Sequence, residues 1–304
     1  MDPLSSVLLT SPLVQLFGAG AQKTLDPNIM QNPARKAMYI DEVRFIPRDN
    51  IEYGAFVYVR LRINRQNITA DFVPVWLSSA AANISIASNY SQEYNRNKNT
   101  YIYRPPKPIY VPQYTNLQCD LIVDPTANSV ISGGPLNAQF YVVYAGRQID
   151  DVTMPPPATV DVPWIAKYIP PTWTEGALSA PAQSTANDLV NPFNRPLHVS
   201  SMMSRTLYDT GDAVFTGPIL IQDLITMKMS NSKSAIITRD PTPIGHIFDM
   251  FSREAIMNTS LDPNTYFIAT LQADLRDVDN GGLSALTSIA MHGYRTVTLA
   301  EYMH

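Results

Sequence analysis

Apolar positions along this chain recur with a period of two far more often than with a period of 3.6. Phe56–Ile63 alternates cleanly, with Arg60 and Arg62 on one side and Val59, Leu61 and Ile63 on the other. Successive side chains of a strand point to opposite faces, so this pattern predicts a half-buried β-strand. Ala37–Phe45 is β-branched and aromatic with partial alternation, and Asn64–Asn67 predicts a hairpin loop leading into a strand over Ile68–Trp76. Asn116–Val123 and Ala138–Tyr144 predict two more strands, with Gly133, Gly134 and Pro135 as punctuation between them. The polar segment 81–104 reads as a long surface loop.

The second half repeats the style. Arg195–Met203, Gly217–Leu224, Ile225–Met229, Ser234–Thr238 and Thr265–Leu275 read as strands, with turns at Ser230–Lys233 and Asp262–Asn264. Helical patches are predicted over Ile244–Ile256 and over Leu283–Met291, where Leu283, Leu286 and Ile289 share a face, and Tyr294–Tyr302 reads as a closing strand. Asn32-Pro33 and Asn191-Pro192 each lead into what reads as the first strand of its half, each half has a strand, polar loop and strand in succession, and Asn137–Tyr144 matches Asn264–Leu271 as a late strand.

Two segments stand apart. Leu4–Ala21 is apolar, uncharged and broken by Pro12, which suits either a short capping helix or an arm reaching a neighbour or an apolar surface. It lacks the basic face of a strong membrane-surface anchor. Met154–Trp173 holds six prolines around Trp164 and Trp173 and predicts an extended connector that buries its indoles on a domain surface, an SH3-type ligand being the sharper alternative. The expected organisation is all-β: an arm over 1–31, a β-domain over 32–153, a proline-rich linker over 154–190 and a second β-domain over 191–304.

Composition narrows the classes. Charged residues are 16% and apolar residues 45%, the reverse of a disordered chain. The net charge of −4 and the lack of any dense Lys/Arg run argue against a dedicated nucleic-acid binder. The one cysteine, Cys119, cannot close an internal disulfide, which points to a reducing compartment. No apolar stretch reaches the ~18 residues of a membrane span, and Met1-Asp2-Pro3 lacks the positive start of a secretion signal, so a soluble protein is expected.

No catalytic, cofactor or metal residue is predicted. His198, His246, His292 and His304 are scattered, and neither a phosphate loop nor a nucleophile elbow is present. Asp277–Gly282 opens like a calcium loop, but Gly281 stands where a ligand is wanted and Ser288 where the closing Glu should be. Asp41-Glu42 and Asp150-Asp151 are adjacent carboxylates that a regular strand points to opposite faces. Sequons at Asn67, Asn83, Asn89 and Asn258 would matter only in a secretory pathway. Tyr90, Tyr94, Tyr101 and Tyr103 either pack the polar loop onto its own domain or line a sugar- or partner-binding surface.

In its tandem β-domains, its linker Met154–Trp173, its arm Leu4–Ala21 and its length, the chain resembles the double jelly-roll major capsid proteins of tailless icosahedral phages with an internal membrane, such as the flavobacterial lipid-containing single-stranded DNA phage. The resemblance implies two tandem jelly rolls with short helices. It also implies a homotrimer of pseudo-hexagonal outline tiling a virion shell, made in the host cytoplasm. Partners implied are copies of itself, vertex (penton) and minor capsid proteins, and an internal lipid membrane reached through the arm, with no direct genome binding and no cofactor. Low charge fits surfaces that become covered on assembly. A receptor- or carbohydrate-binding spike protein and a β-sandwich glycosidase or lyase are the competing readings. If the arm lies outside the core, deleting residues 1–21 leaves the fold intact.

Overall fold

The computed structural model describes residues 4–17, 22–24, 36–47, 57–63, 66–74, 101–123, 137–149, 156–168, 173–174, 182–183, 189–209, 214–215, 225–232, 237–248, 254–273 and 284–304. The first eleven strands are β1 (Leu4–Thr10), β2 (Val14–Phe17), β3 (Gln22–Thr24), β4 (Met38–Pro47), β5 (Val57–Ile63), β6 (Gln66–Asn67), β7 (Val73–Pro74), β8 (Tyr101–Tyr103), β9 (Ile109–Val111), β10 (Leu117–Val123) and β11 (Asn137–Ile149). β1 and β2 pair with β11, β11 with β4, and β4 with β8 and β9; β3 pairs with β10, β10 with β5, and β5 with β6 and β7. If β1–β2, β6–β7 and β8–β9 are each taken as one interrupted strand, eight strands remain. One sheet then runs first–eighth–third–sixth and the other second–seventh–fourth–fifth, which is the jelly roll. The alternation of β5 puts Val57, Val59, Leu61 and Ile63 into the core, each at most 2% exposed, against Met38, Ile40, Val43 and Phe45 of β4 on the same inner side.

The next ten strands are β12 (Thr159–Tyr168), β13 (Trp173–Thr174), β14 (Ala182–Gln183), β15 (Leu197–Asp209), β16 (Val214–Phe215), β17 (Ile225–Asn231), β18 (Thr242–Pro243), β19 (Glu254–Leu261), β20 (Phe267–Ala273) and β21 (Ser284–Thr298). One sheet has the order β12–β21–β15–β16, with β13 also on β21 and β19 on β15, and the other has the order β14–β20–β17–β18. With β16 as a short addition, this is the same order as before. The chain is a double jelly roll. The turns entering β10 and β20 repeat closely: Thr115 N–H donates to Pro112 O (3.4 Å) and Thr265 N–H to Asp262 O (3.1 Å), and the third turn residues Tyr114 and Asn264 have φ of 58° and 57°. By contact the chain divides into two compact units, residues 1–128 with 134–165 and 292–304, and residues 129–133 with 166–291. Among the described residues no helix is long and apolar enough to cross a membrane.

Several expectations are overturned. Residues 4–17 and 22–24 are not a detached arm; they supply the first and second strands of the first roll. Leu9, Val14 and Leu16 are buried, while Leu8 points outward, and this apolar outward residue hid the alternation. Ser11 bridges the break before Pro12, its Oγ accepting from Val142 N–H (2.9 Å) and donating to Pro12 O (2.8 Å). The linker segment likewise holds β12, β13 and β14. Pro163 is tolerated within β12 because this strand lies at the edge of its sheet. Trp164 is buried there, as expected of the indole, though in a strand and not in a connector.

Of the helix expected over Leu283–Met291, residues 284–291 are instead part of the fifteen-residue strand β21, and Leu283 lies outside the described residues. Ile289, Ala290 and Met291 are all buried, so both faces are covered and period two vanishes, leaving a chance helical spacing. Of Ile244–Ile256 the described residues form the one-turn helix α1 (Ile244–Ile247) and, from Glu254, the start of β19; residues 249–253 lie outside them. The tail is β-strand only to Thr298; helix α2 (Leu299–Met303) follows, opened by a capping box between Thr298 and Glu301. The late strands also pair differently between halves: β11 corresponds to β21 and β10 to β20, so Asn137–Tyr144 does not match Asn264–Leu271. Residues 81–100 of the polar loop and the strand expected over Gly217–Leu224 lie outside the described residues. At Ser234–Thr238 the described part, Ile237–Thr238, lies outside any strand, with both N–H groups donating to Met229 O.

Candidate functional site

Asp41 and Glu42 do not point to opposite faces. The register of β4 against β11 steps from Glu42↔Ala145 to Ile40↔Gly146, which leaves Asp41 as the extra residue of a β-bulge. Met38, Ile40, Val43 and Phe45 are buried while Tyr39, Asp41, Glu42 and Arg44 are half-exposed, so both carboxylates lie on the outer side. The bulge needs Gly146, since a Cβ there would collide with the main-chain oxygen of Tyr39. Each carboxylate is engaged. Arg147 grips Asp41 through Nε (3.0 Å) and Nη2 (2.9 Å), and Glu42 accepts from Arg44 Nε (2.8 Å) and Arg104 Nε (2.9 Å). Partial burial pushes the Glu42 carboxyl up, but the two guanidinium hydrogen bonds outweigh it and hold it below the ordinary glutamate value. Each carboxylate takes two charge-assisted hydrogen bonds from arginine, so the pair acts as a structural clasp.

A second clasp was missed by the sequence reading. Asp120 of β10 lies opposite Arg60 of β5, and its Oδ2 accepts from Arg60 Nε (3.0 Å), Arg60 Nη2 (2.9 Å) and Arg62 Nη2 (2.8 Å). Its side chain is 1% exposed, covered by the two guanidiniums, and Arg60 stacks on the Phe72 ring at 4.7 Å. The alternating Arg60 and Arg62 were visible in sequence; their shared acceptor, some sixty residues on, was not.

On the outer side of the first roll an open cleft of about 260 Å³ lies along Tyr39, Tyr110, Arg147, Lys107, Thr159 and Asp161. Arg147, Tyr39 and Tyr110 form a row across β11, β4 and β9, with the two tyrosine rings 5.5 Å apart. Its charged walls are already engaged: Arg147 by Asp41, Asp161 by Thr296 Oγ1 (2.6 Å), and Lys107 by the Tyr294 ring at 5.5 Å. Beneath it the C-terminus is tied in, Tyr302 OH donating to Tyr110 O (2.6 Å) and Arg295 Nη2 to Gln66 Oε1 (2.7 Å).

The remaining candidates disperse. His292 is buried with its ring at 5.9 Å from that of Tyr103, while His246 and His304 are exposed on α1 and at the C-terminus. Among the described residues no three His, Cys, Asp or Glu side chains gather to hold a metal ion. Tyr103 is fully buried in β8, so it cannot belong to a binding surface, and Tyr90 and Tyr94 lie outside the described residues. Asp150-Asp151 and Asp277–Gly282 also lie outside them, and Ser288 sits in β21. Cys119 is buried; burial, and secondarily Asp120, push its thiol up, which leaves it un-ionised and inert. Asn191, singled out beside Pro192, is a buried hub: its Nδ2 donates to Arg195 O (2.8 Å), Leu261 O (2.9 Å) and Asp262 O (3.1 Å), and its Oδ1 accepts from Phe193 N–H (3.0 Å). It ties the entry to β15 to the turn before β20.

No protein-family model matches the chain, and no curated protein matches its sequence. Among solved structures it is similar to VP54 of PBCV-1, as fitted into a reconstruction of the virophage Sputnik, with TM-score 0.48 and 11% identity over 96% of this chain and 94% of that one. It is also similar to the major capsid protein P2 of bacteriophage PM2, with TM-score 0.36 and 10% identity over 95% and 97% of the two chains. A third similarity is to the mavirus major capsid protein, with TM-score 0.36 and 8% identity over 97% and 87%.

Proposed function

We propose that this chain is a structural major capsid protein whose trimers tile an icosahedral virion shell. The observation that carries the reading is the duplication: one eight-strand order, first–eighth–third–sixth over second–seventh–fourth–fifth, occurs twice in succession. Three copies of a chain with two equivalent rolls present six comparable sides, which is what hexagonal tiling requires of a closed three-fold assembly. The carboxylates and arginines found together clasp strands and leave no reactive pair, so the reading does not include an enzyme. A charged fraction of 16% suits surfaces that copies of the chain cover.

Six-sided trimers cannot fill five-fold positions, so a separate vertex protein, with minor capsid proteins, belongs to the same reading, as do a virion location and synthesis in the host cytoplasm. The contact with an internal membrane loses the segment first assigned to it, because residues 4–17 are strands. Size-exclusion chromatography and electron microscopy of the purified chain test the shell. Trimers near 100 kDa, from a chain of 33.8 kDa, that form hexagonal patches are expected. A concentrated solution that stays monomeric overturns the reading. The half-exposed Tyr39 ring beside Arg147 and Asp161 favours a sugar-binding spike as the second reading, which a glycan array tests.

A further inference from the structure

A row of unpaired N–H and C=O groups at a sheet edge templates pairing with another chain, and proteins blunt such edges with charges, prolines, bulges, brevity or a cover. Nearly every edge here carries one of these. β3, β8 and β9 have three residues each, and β6, β7, β13, β14, β16 and β18 have two. β12 holds Asp161, Pro163 and Lys167, and its Ile165 is bonded through its N–H to Ile68 O and through its C=O to Ala70 N–H. β19 carries Glu254 and a bulge in which Asn258 takes a φ of 43°. β1, with β2 continuing its line, is the exception. It runs seven residues without charge, proline or bulge, its register against β11 stepping evenly from Leu4↔Ile149 to Thr10↔Val143. No described strand pairs with its other edge. Ser6 and Thr10 are exposed on its outer face, and Leu8 between them is 63% exposed.

We infer that β1 is an interface strand, paired antiparallel with β1 of a second copy across a two-fold axis and centred on Leu8. The inference deepens the shell reading and rests on it, placing this contact between neighbouring assemblies. A strand edge is complementary to itself: about a two-fold axis, residue i meets j and j meets i, and the ladder closes without exposing a new edge. Leu8 then covers Leu8 of the second copy, and Ser6 meets Thr10, pairings that suit cross-strand neighbours. A wholly neutral outer row offers nothing to an anionic lipid, a nucleic acid or a charged peptide, which leaves an equally neutral strand as the occupant.

Cys119 is the one native cysteine and is buried, so Leu8→Cys in the full chain adds a single reactive thiol. Mild oxidation of assembled Leu8→Cys protein is expected to give a covalent dimer on a non-reducing gel, and Tyr114→Cys, at an equally exposed turn, to give none. The double variant Ser6→Lys with Leu8→Lys, confined to exposed positions, is expected to keep its trimer and its unfolding temperature and to need at least ~10-fold more protein to form a lattice. Lattices of Leu8→Cys that yield no dimer, or a lysine variant that assembles at the wild-type concentration, overturn the pairing and leave the shell reading standing. A wild-type chain that never assembles removes the shell reading itself, and the second copy with it.

Discussion

At the scale of single residues, two backbone positions fix local geometry that no side-chain contact could replace. Gly146 lets β4 bulge against β11, and the bulge turns both Asp41 and Glu42 outward to their arginines. Gly146→Ala is expected to force the strands apart and to lower stability by about 3 kcal/mol in urea titrations. Tyr114 has a positive φ of 58° where its counterpart is Asn264, and its side chain is 62% exposed, so little packing holds it there. A left-handed conformation costs a bulky L-residue about 1 kcal/mol, and Tyr114→Gly should recover most of that as a rise in unfolding temperature of a few degrees. The turn would then keep its Thr115 N–H to Pro112 O hydrogen bond.

Among the elements, the two ends of the chain do more than their composition suggests. β1, β2 and β3 complete both sheets of the first roll, so deleting residues 1–21 removes its first strand and opens the cores under Leu9, Val14 and Leu16. That deletion is expected to abolish cooperative unfolding of the first unit, seen as rapid limited proteolysis, and not to yield a folded trimer lacking only an arm. α2 fastens the other end, Tyr302 being 2% exposed with its hydroxyl on Tyr110 O. Tyr302→Phe should cost about 1 kcal/mol for the lost hydrogen bond and Tyr302→Ala about 3–5 kcal/mol for the lost ring, a difference that calorimetry resolves. Helix α2 is therefore part of the first unit although it follows the second roll in sequence.

Over the whole molecule charge is sparse, and Asp41, Glu42 and Asp120 hold theirs in arginine clasps. Glu42 sits below its ordinary value, so its contribution to stability is present above the unfolded glutamate pKa of about 4.3 and is lost as pH falls through the lower, folded value. Unfolding temperature should therefore fall on acidification below about pH 4.3, and Glu42→Gln should flatten part of that slope, as thermal scans across pH 2–6 would register. The clasps also explain why Asp41 and Glu42, which stand out as adjacent carboxylates in sequence, are quiet in the fold: both are committed to guanidiniums.

Alternation settled β5 from sequence, because one face of that strand is buried and the other is half-exposed, and it separated Arg60 and Arg62 from Val59, Leu61 and Ile63. It was silent where both faces are covered, as at Ile289–Met291, and where an outward residue is itself apolar, as at Leu8. The Asn-Pro echo marked a real duplication but placed the late strands one step out of phase. Only the tertiary structure decided that the first roll begins at Leu4, that a bulge turns Asp41 and Glu42 to the same side, and that Asp120 lies under two arginines. The physical reason is range. Periodicity reports which side of a strand is buried, while strand order and charge pairing also depend on partners as far as sixty or more residues away.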